Sequence, residues 1–235
     1  MRWNAIRRGY SENKREYTPE DIPNILNDVK KLEKEGRNHG LILAPNALNR
    51  YIDGKGKDFE VKDEFLLKFS SISKADKINQ DRFIKHEKGI INEIQKMKSN
   101  NKRSFHIHFD KLVYAEMFFE KDLYYGSGGS TLSSYGSFSA NRNKDTVIIN
   151  GIVEVSWYDR YDWDKGKLTN VIDLGTFDDE KFAYLEKQGY AKSFNMKSNW
   201  SYNFSGNYNE RLKKWGDVKW EKDNLYSYNF IYSNF

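Results

Sequence analysis

A period of two in the side chains runs through the second half of this 235-residue chain. In its clearest stretch, large apolar residues stand at even positions and small or polar residues at odd positions. The even positions hold Tyr190, Phe194, Met196, Trp200, Tyr202 and Phe204. Because the side chains of a strand alternate between its two faces, this pattern predicts half-buried antiparallel strands, with a hairpin bend at residues 197–199.

A second β-rich run ends abruptly in a cluster of acids. Its bulky residues share one strand face: Val147, Ile149, Val153, Val155 and Trp157. Asp159, Asp162 and Asp164 then crowd into six residues around Tyr161. Like charges at short range raise one another's pKa, and a divalent cation or a nearby Arg or Lys relieves the repulsion. The cluster therefore indicates a metal site, an ion-pair network or a solvated turn at the strand end.

Helical spacing of apolar residues characterises the first half. It predicts a helix that begins after Thr18 or Asp21 and reaches Glu35, shorter helices over 46–53 and 63–69, and one long helix over 76–98. The spacing ends at residues 98–104, so we expect a mainly helical region over 1–103 and a β-rich activity domain over 104–235. One further helix follows Asp178 or Asp179.

These elements predict an α+β fold. An N-terminal helical part precedes an antiparallel, aromatic-rich β-sheet or open β-barrel with one inserted helix. Residues 124–145 are rich in Gly and Ser and predict a flexible loop that feeds the central strand, or a mobile lid beside the acids.

Composition excludes several classes of protein. A hydrophobic content of 38% and an aromatic content of 16% exclude a disordered chain. The absence of Cys excludes a disulfide partner, Cys-ligated zinc and a thiol nucleophile. No apolar run is long enough for a transmembrane helix and no secretion leader precedes the chain, so we expect any export to use another route.

Positive charge is concentrated in the first half. Residues 1–103 hold 23 Lys and Arg against 16 Asp and Glu, whereas residues 104–235 hold 16 against 18. Such a basic half can face nucleic acid, anionic lipid or an acidic carrier, although mixed charges along helices are also typical of a solvated face.

Two histidines share one predicted strand face. The polar residues His106, His108 and Asp110 alternate along the chain with the apolar residues Phe105, Ile107 and Phe109. A His-x-His pair on a strand can bind a transition-metal ion or supply an acid or base, provided that other elements contribute further ligands. The alternative is a polar strand face without a catalytic role.

Short motifs in this order resemble the C-terminal activity domain of colicin M-type bacteriocins. They are the Tyr-Gly-Ser-Phe of residues 135–138, Gly151 and the Asp-x-Tyr-Asp of residues 159–162. Residues 47–65 and the sequence DRYDWDKGK also resemble the C-terminal toxin domains of bacterial Rhs-type polymorphic toxins. Together the similar segments span residues 45–205.

The resemblance implies a metal-dependent phosphodiesterase that cleaves the lipid-linked peptidoglycan precursor, lipid II, in the periplasm of a target bacterium. It assigns Asp159, Tyr161 and Asp162 to the active site. A divalent ion such as Mg²⁺ would be held by Asp159, Asp162 and Asp164. An immunity protein and a larger carrier or secretion system would be its partners.

The colicin M-type pattern has a His six residues after the last Asp, where this chain has Leu168. Either His106 or His108 supplies the general acid or base from a neighbouring strand, or the fold serves a different activity. Two other classes stay open: a nuclease toxin that acts in the cytoplasm through His106 and His108, and a non-enzymatic membrane- or ligand-binding module carried by the aromatic stripes.

Overall fold

The structure is a computed structural model that describes residues 9–10, 16–97, 101–116, 118–163, 167–171 and 175–223. The chain forms two compact units. Unit 1 comprises Met1–Phe59, Ala115–Gly128 and Asp159–Met196, and unit 2 comprises Glu60–Tyr114, Gly129–Tyr158 and Lys197–Phe235. Each unit draws residues from both sides of the boundary near residue 103 that the sequence suggests.

The described helices are a 3-10 helix at Pro19–Asp21 and a set of α-helices. The α-helices are α1 (Ile22–Asn38), α2 (Leu43–Asp53), α3 (Asp63–Leu66), α4 (Ser70–Lys85), α5 (Ile90–Gln95), α6 (Lys121–Gly126) and α7 (Asp179–Lys187). In α1, Ile22, Ile25 and Val29 are buried at helical spacing, so one apolar face holds the helix in place. At α7, the Asp178 side chain accepts a hydrogen bond from the Glu180 backbone N–H at 3.0 Å, which is the capping that the sequence predicts.

The described strands form two sheets. They are β1 (Gly9–Tyr10), β2 (Phe59–Glu60), β3 (Lys102–Tyr114), β4 (Gly129–Asn143), β5 (Thr146–Tyr161), β6 (Lys167–Val171), β7 (Gly175–Asp178), β8 (Phe194–Asn209) and β9 (Lys214–Lys222). Unit 1 holds a three-stranded antiparallel sheet in the order β1-β6-β7. The larger sheet has six strands in the order β2-β8-β5-β4-β3, with β9 beside β8. Its pairings β3–β4, β4–β5 and β8–β9 are antiparallel.

Aromatic rings fill the core of unit 2. Phe83 of α4 lies edge-on to Phe109 of β3, with 5.1 Å between the ring centroids, and 5.6 Å from Phe138 of β4. Phe138 in turn meets Phe204 of β8 at 5.5 Å. These edge-to-face contacts bury large apolar areas in one layer between helix and sheet. The predicted α+β class, with a helical part before an aromatic-rich sheet, is confirmed.

The predicted helix over 76–98 is wrong in its bounds, because the chain forms two helices there. α4 ends at Lys85 and α5 begins at Ile90. Between them, Gly89 passes so close to α4 that a Cβ would lie 2.6 Å from the Phe83 carbonyl oxygen. Only glycine fits this approach, so the break is specified by backbone crowding rather than by the apolar period.

Two β predictions are also wrong. Most of the Gly- and Ser-rich segment predicted as a loop forms strand β4, paired with β3 on one side and β5 on the other. Residues 197–199 lie inside β8 rather than at a hairpin bend, and the turn into β9 falls at residues 210–213. Neighbouring strands on both sides satisfy the β4 backbone, which offsets the weak strand preference of Gly and Ser.

None of the described helices has the length and apolar character needed to cross a bilayer.

Candidate functional site

Asp159 stands near the end of β5 with its side chain turned away from solvent. The alternation of β5 buries Val155, Trp157 and Asp159 and exposes Tyr158 and Arg160. Asp159 keeps 8% of its surface exposed. The strand period that places apolar side chains inward therefore carries a carboxyl group inward as well.

The pKa of Asp159 is raised to about 7, chiefly by burial. Removing a carboxyl group from water disfavours its charged form. The Ser127 hydroxyl and the Arg160 backbone N–H act in the opposite direction, and the negative charge of Asp162 adds to the rise. Asp159 Oδ2 has no hydrogen-bond partner within the described residues. The carboxyl group can therefore gain or lose a proton near neutral pH, which is the condition for general acid–base catalysis.

Asp162 lies at the surface, three residues further along. Its Oδ2 is 3.5 Å from Arg160 Nε, and both side chains are about half exposed. Arg160 also donates a hydrogen bond from Nη1 to Asn195 Oδ1 at 3.4 Å. Such an exposed ion pair contributes little stability, but it holds a guanidinium group at the end of the strand.

The described carboxylates do not by themselves form a magnesium site. Mg²⁺ requires a near-octahedral shell of oxygen ligands. Asp159 is buried and has a pKa near neutrality, and Asp162 forms an ion pair with Arg160. In the described ranges, no group of three or more His, Cys, Asp or Glu side chains is placed to hold a metal ion. Asp164 lies outside those ranges, so the three-carboxylate site stays a prediction.

Tyr161 packs in an aromatic cluster of unit 1. Its ring stacks on Phe194 at 5.2 Å between centroids, and the Tyr51 and Trp163 rings meet it edge-on at 5.9 and 6.1 Å. Trp163 continues the cluster to Phe182, at 4.3 Å. Burial raises the pKa of the Tyr161 hydroxyl, so it stays protonated. The cluster holds the end of β5 in place beside Asp159.

Tyr51 links this cluster to α7 and is a residue that the sequence did not single out. Its hydroxyl donates to the Phe182 carbonyl oxygen at 3.1 Å and lies 3.3 Å from Glu186 Oε2. Glu186 also accepts hydrogen bonds from the Ser193 backbone N–H and hydroxyl, at 2.7 and 2.6 Å. The polar partners of Tyr51 lie 131 and 135 positions away along the chain.

His106 and His108 lie in unit 2, on a solvent-facing side of the large sheet. We call this side the outer face: the even-numbered residues of β3 and of residues 146–158, and the odd-numbered residues of β4. His106 Nδ1 is 3.0 Å from Ser137 Oγ, and its ring stacks on Tyr135 with 5.5 Å between centroids and 19° between planes. The two imidazoles therefore share one strand face, as the alternation predicts.

His108 is engaged with a carboxylate. Its Nε2 lies 3.0 Å from Asp110 Oδ1, which also accepts a hydrogen bond from the Ser133 hydroxyl at 2.6 Å. His106 and His108 belong to unit 2, whereas Asp159, Tyr161 and Asp162 belong to unit 1. The expectation that one of these histidines supplies the acid or base stays a prediction.

A buried carboxyl in unit 2 also escaped the sequence analysis. Asp76 of α4 accepts a hydrogen bond from the Tyr202 hydroxyl at 2.5 Å, and burial raises the pKa of Asp76. Nearby, Lys222 Nζ lies 2.5 Å from the buried Asp63. In the sequence, Asp76 stands at the start of the helix predicted over 76–98, which gives no sign of its burial. We assign this group a structural role in the core of unit 2.

Comparison of the chain with protein-family models, with curated proteins and with solved structures finds no match.

Proposed function

We propose that this chain is an antibacterial toxin domain that hydrolyses a phosphodiester, with Asp159 as its general acid–base group. The observation that carries the proposal is the state of the Asp159 carboxyl: it is buried, it has one oxygen without a hydrogen-bond partner in the described part of the chain, and its pKa is about 7. A strongly raised carboxyl pKa at a strand end is typical of catalytic acids.

The chemistry follows from the proton that Asp159 holds. Water attacks phosphorus, the bond to the leaving oxygen breaks, and that oxygen must gain a proton. Protonated Asp159 donates it, the attacking water releases one proton to solvent, and the ionised Asp159 carboxylate takes up a proton from solvent to restore the acid. No step of this scheme depends on a metal ion.

The substrate and setting rest on the resemblance to colicin M-type bacteriocins. On that basis the substrate is the lipid-linked peptidoglycan precursor at the membrane surface, and the site of action is the periplasm of a target bacterium. A carrier protein or secretion system would deliver the domain, and an immunity protein would protect the producing cell.

The test compares killing from two compartments. The full chain is produced in a bacterial host with and without an added export signal, as wild type and as Asp159→Asn. We expect killing from the periplasm, and its loss in Asp159→Asn because an amide cannot donate a catalytic proton. Asp53→Asn, which alters an exposed aspartate of the same unit, is the matched control and should kill like the wild type.

Three results would contradict the proposal. The first is an Asp159→Asn variant that is folded and kills as well as the wild type. The second is killing from the cytoplasm alone, abolished by His106→Ala, which would indicate a nuclease toxin. The third is leakage from vesicles that survives Asp159→Asn, which would indicate a membrane-perturbing module. In each case, circular dichroism of the purified variants separates lost chemistry from lost folding.

A further inference from the structure

The outer face of β3, β4 and β5 contains a trough along its middle strand. Between residues 131 and 139, four of the five outward side chains of β4 are small, namely Thr131, Ser133, Ser137 and Ser139, and the fifth is Tyr135. β4 is flanked by β3 and β5 over its whole length, and their outward side chains are mostly larger. The hydroxyl groups of β4 therefore lie lower on this face than the larger side chains of β3 and β5 on either side.

The strand register sets the order of groups along the trough. Successive rows across β3, β4 and β5 are Leu112, Thr131 and Tyr158, and then Asp110, Ser133 and Ser156. The next rows are His108, Tyr135 and Glu154, and then His106, Ser137 and Ile152. Rows lie about 7 Å apart, because each is two strand residues from the next. Rings and apolar side chains thus recur between groups that form hydrogen bonds.

Aromatic and aliphatic side chains on this face are exposed to an unusual degree. Tyr135 is 42% exposed, Tyr158 47% and Ile152 50%. Leu112, Tyr114 and Ile148, also exposed, extend the same face. A contiguous exposed apolar surface on a folded protein marks an interaction site. The stack of His106 on Tyr135 makes a flat platform at its centre.

The polar groups between the rings are already oriented by hydrogen bonds. The Ser133 hydroxyl donates to Asp110, and the Ser137 hydroxyl is 3.0 Å from the His106 ring. Serine, histidine and carboxylate side chains offer donors and acceptors that suit the hydroxyl groups of a ligand. Because these groups are fixed before binding, little side-chain entropy is lost when a ligand arrives.

Charge decides which ligand fits. Over the described rows from Ser104 to Leu112, the outward side chains of the three strands include the carboxylates Asp110 and Glu154 and no Lys or Arg. A nucleic acid or an anionic membrane surface would meet the negative charge of these two carboxylates. An uncharged ligand rich in hydroxyl groups meets rings for stacking and partners for hydrogen bonds.

One end of the trough deepens into a depression of about 390 Å³. Its lining includes Ser104, Ser139, Asn141, Ile148 and Asn150. Lys102, Arg103 and Ala140 complete the lining. The depression continues the hydrogen-bonding character of the trough and gives an extended ligand a place to end.

We propose that this trough is a binding site for a neutral glycan chain, with Tyr135 and Tyr158 stacking on sugar rings and Ser133, Ser137 and His106 binding their hydroxyl groups. The site lies within unit 2 and does not use Asp159. It supplies an affinity for polysaccharide that is independent of the proposed hydrolysis.

The test measures binding of two β-1,4-linked hexasaccharides, cellohexaose and chitohexaose, to the purified full chain by isothermal titration calorimetry. We expect the wild type to bind at least one of them. The double variant Tyr135→Ala/Tyr158→Ala should bind about tenfold more weakly, because two stacking rings are lost. Tyr190→Ala, which removes a tyrosine that is 49% exposed in unit 1, is the matched control and should bind like the wild type. Asp159→Asn should also bind normally.

Two further probes separate the competing ligands. A 20-mer of deoxythymidine and vesicles with anionic lipid should bind more weakly than the better hexasaccharide. The proposal is overturned if neither hexasaccharide binds with a dissociation constant of about 1 mM or lower. It is also overturned if the double variant, folded by circular dichroism, binds as well as the wild type, or if the oligonucleotide or the vesicles bind more tightly through the same tyrosines.

Discussion

The Asp122 carboxylate accepts a hydrogen bond from the backbone N–H of Ala44 at 2.8 Å, although the two residues are 78 positions apart in the chain. The same carboxylate accepts from the backbone N–H groups of Leu43 and Ile42, at 3.0 and 2.9 Å. Ile42, the residue before α2, has no side chain that can cap the helix. Asp122 of α6 therefore caps α2 from a distant part of unit 1.

The first prediction concerns this cap. Asp122→Ala removes the acceptor of three N–H groups at the start of α2, and we expect the free energy of unfolding to fall by about 1 to 3 kcal/mol. Asp122→Asn keeps one acceptor and loses the charge, so its loss should be smaller. Urea denaturation followed by circular dichroism measures both. Equal stability of Asp122→Ala and the wild type would contradict the capping role.

The second prediction concerns pH. The pKa of Asp159 is about 7 in the folded chain and 3.8 when unperturbed. The unfolded chain therefore releases this proton at lower pH, so the contribution of Asp159 to stability falls as the pH rises from about 4 to about 7 and is level above that. The shift corresponds to at most about 4 kcal/mol.

The comparison variant for this pH effect is Asp159→Asn, which cannot ionise. Its stability relative to the wild type should increase between pH 5 and pH 8, measured by chemical denaturation at each pH. A stability difference that is independent of pH over this range would show that Asp159 titrates normally in the folded state.

The third prediction concerns two glycines in different settings. A Cβ at Gly136 would overlap the Phe138 ring and lie 2.9 Å from Phe83, so Gly136→Ala should lower the free energy of unfolding by about 1 to 3 kcal/mol. At Gly36, inside α1, the nearest atom to a Cβ is 3.5 Å away, in Pro45. Gly36→Ala should therefore stabilise the chain by about 0.5 to 1 kcal/mol. Thermal denaturation of the two variants should show shifts of opposite sign.

The fourth prediction concerns a polar residue in the core of unit 2. Asn79 is fully buried, and its Nδ2 donates to Ser134 Oγ at 3.0 Å and to the Leu132 carbonyl oxygen at 3.4 Å. Its Oδ1 accepts from Arg82 at 3.2 Å. Asn79→Ala leaves these partners unsatisfied, and the expected loss is about 2 kcal/mol. Asn27→Ala, on the exposed side of α1, should change stability by less than about 0.5 kcal/mol. Similar losses in both variants would exclude a special role for Asn79.

The sequence anticipated those features that depend on local periods. The alternation of β3 places Phe105 and Ile107 inside and His106 outside, as it predicts. The break at Gly89 escaped prediction because it depends on a close approach to the Phe83 backbone, which the apolar period does not reveal. The strand formed by β4 escaped prediction because it depends on pairing with two other segments of the chain. For β4, the hydrogen bonds of two flanking strands outweigh the flexibility of Gly and Ser.

The candidate site shows the same division. The acids at residues 159–162 are visible in the sequence, whereas the inward position of Asp159 follows only because β5 extends to Tyr161. The rise in its pKa is not visible, because it depends on how much water the surrounding chain excludes.

The sequence by itself determined the α+β class, the apolar face of α1 and the buried and exposed faces of the strands. Periods of 3.6 and 2 are properties of neighbouring residues. The tertiary structure alone decided that Asp122 caps α2, that Asp159 holds its proton near neutral pH and that Tyr135 stands between His108 and Glu154. Each of these depends on segments that are far apart in the chain and meet only when strand register and packing bring their side chains together.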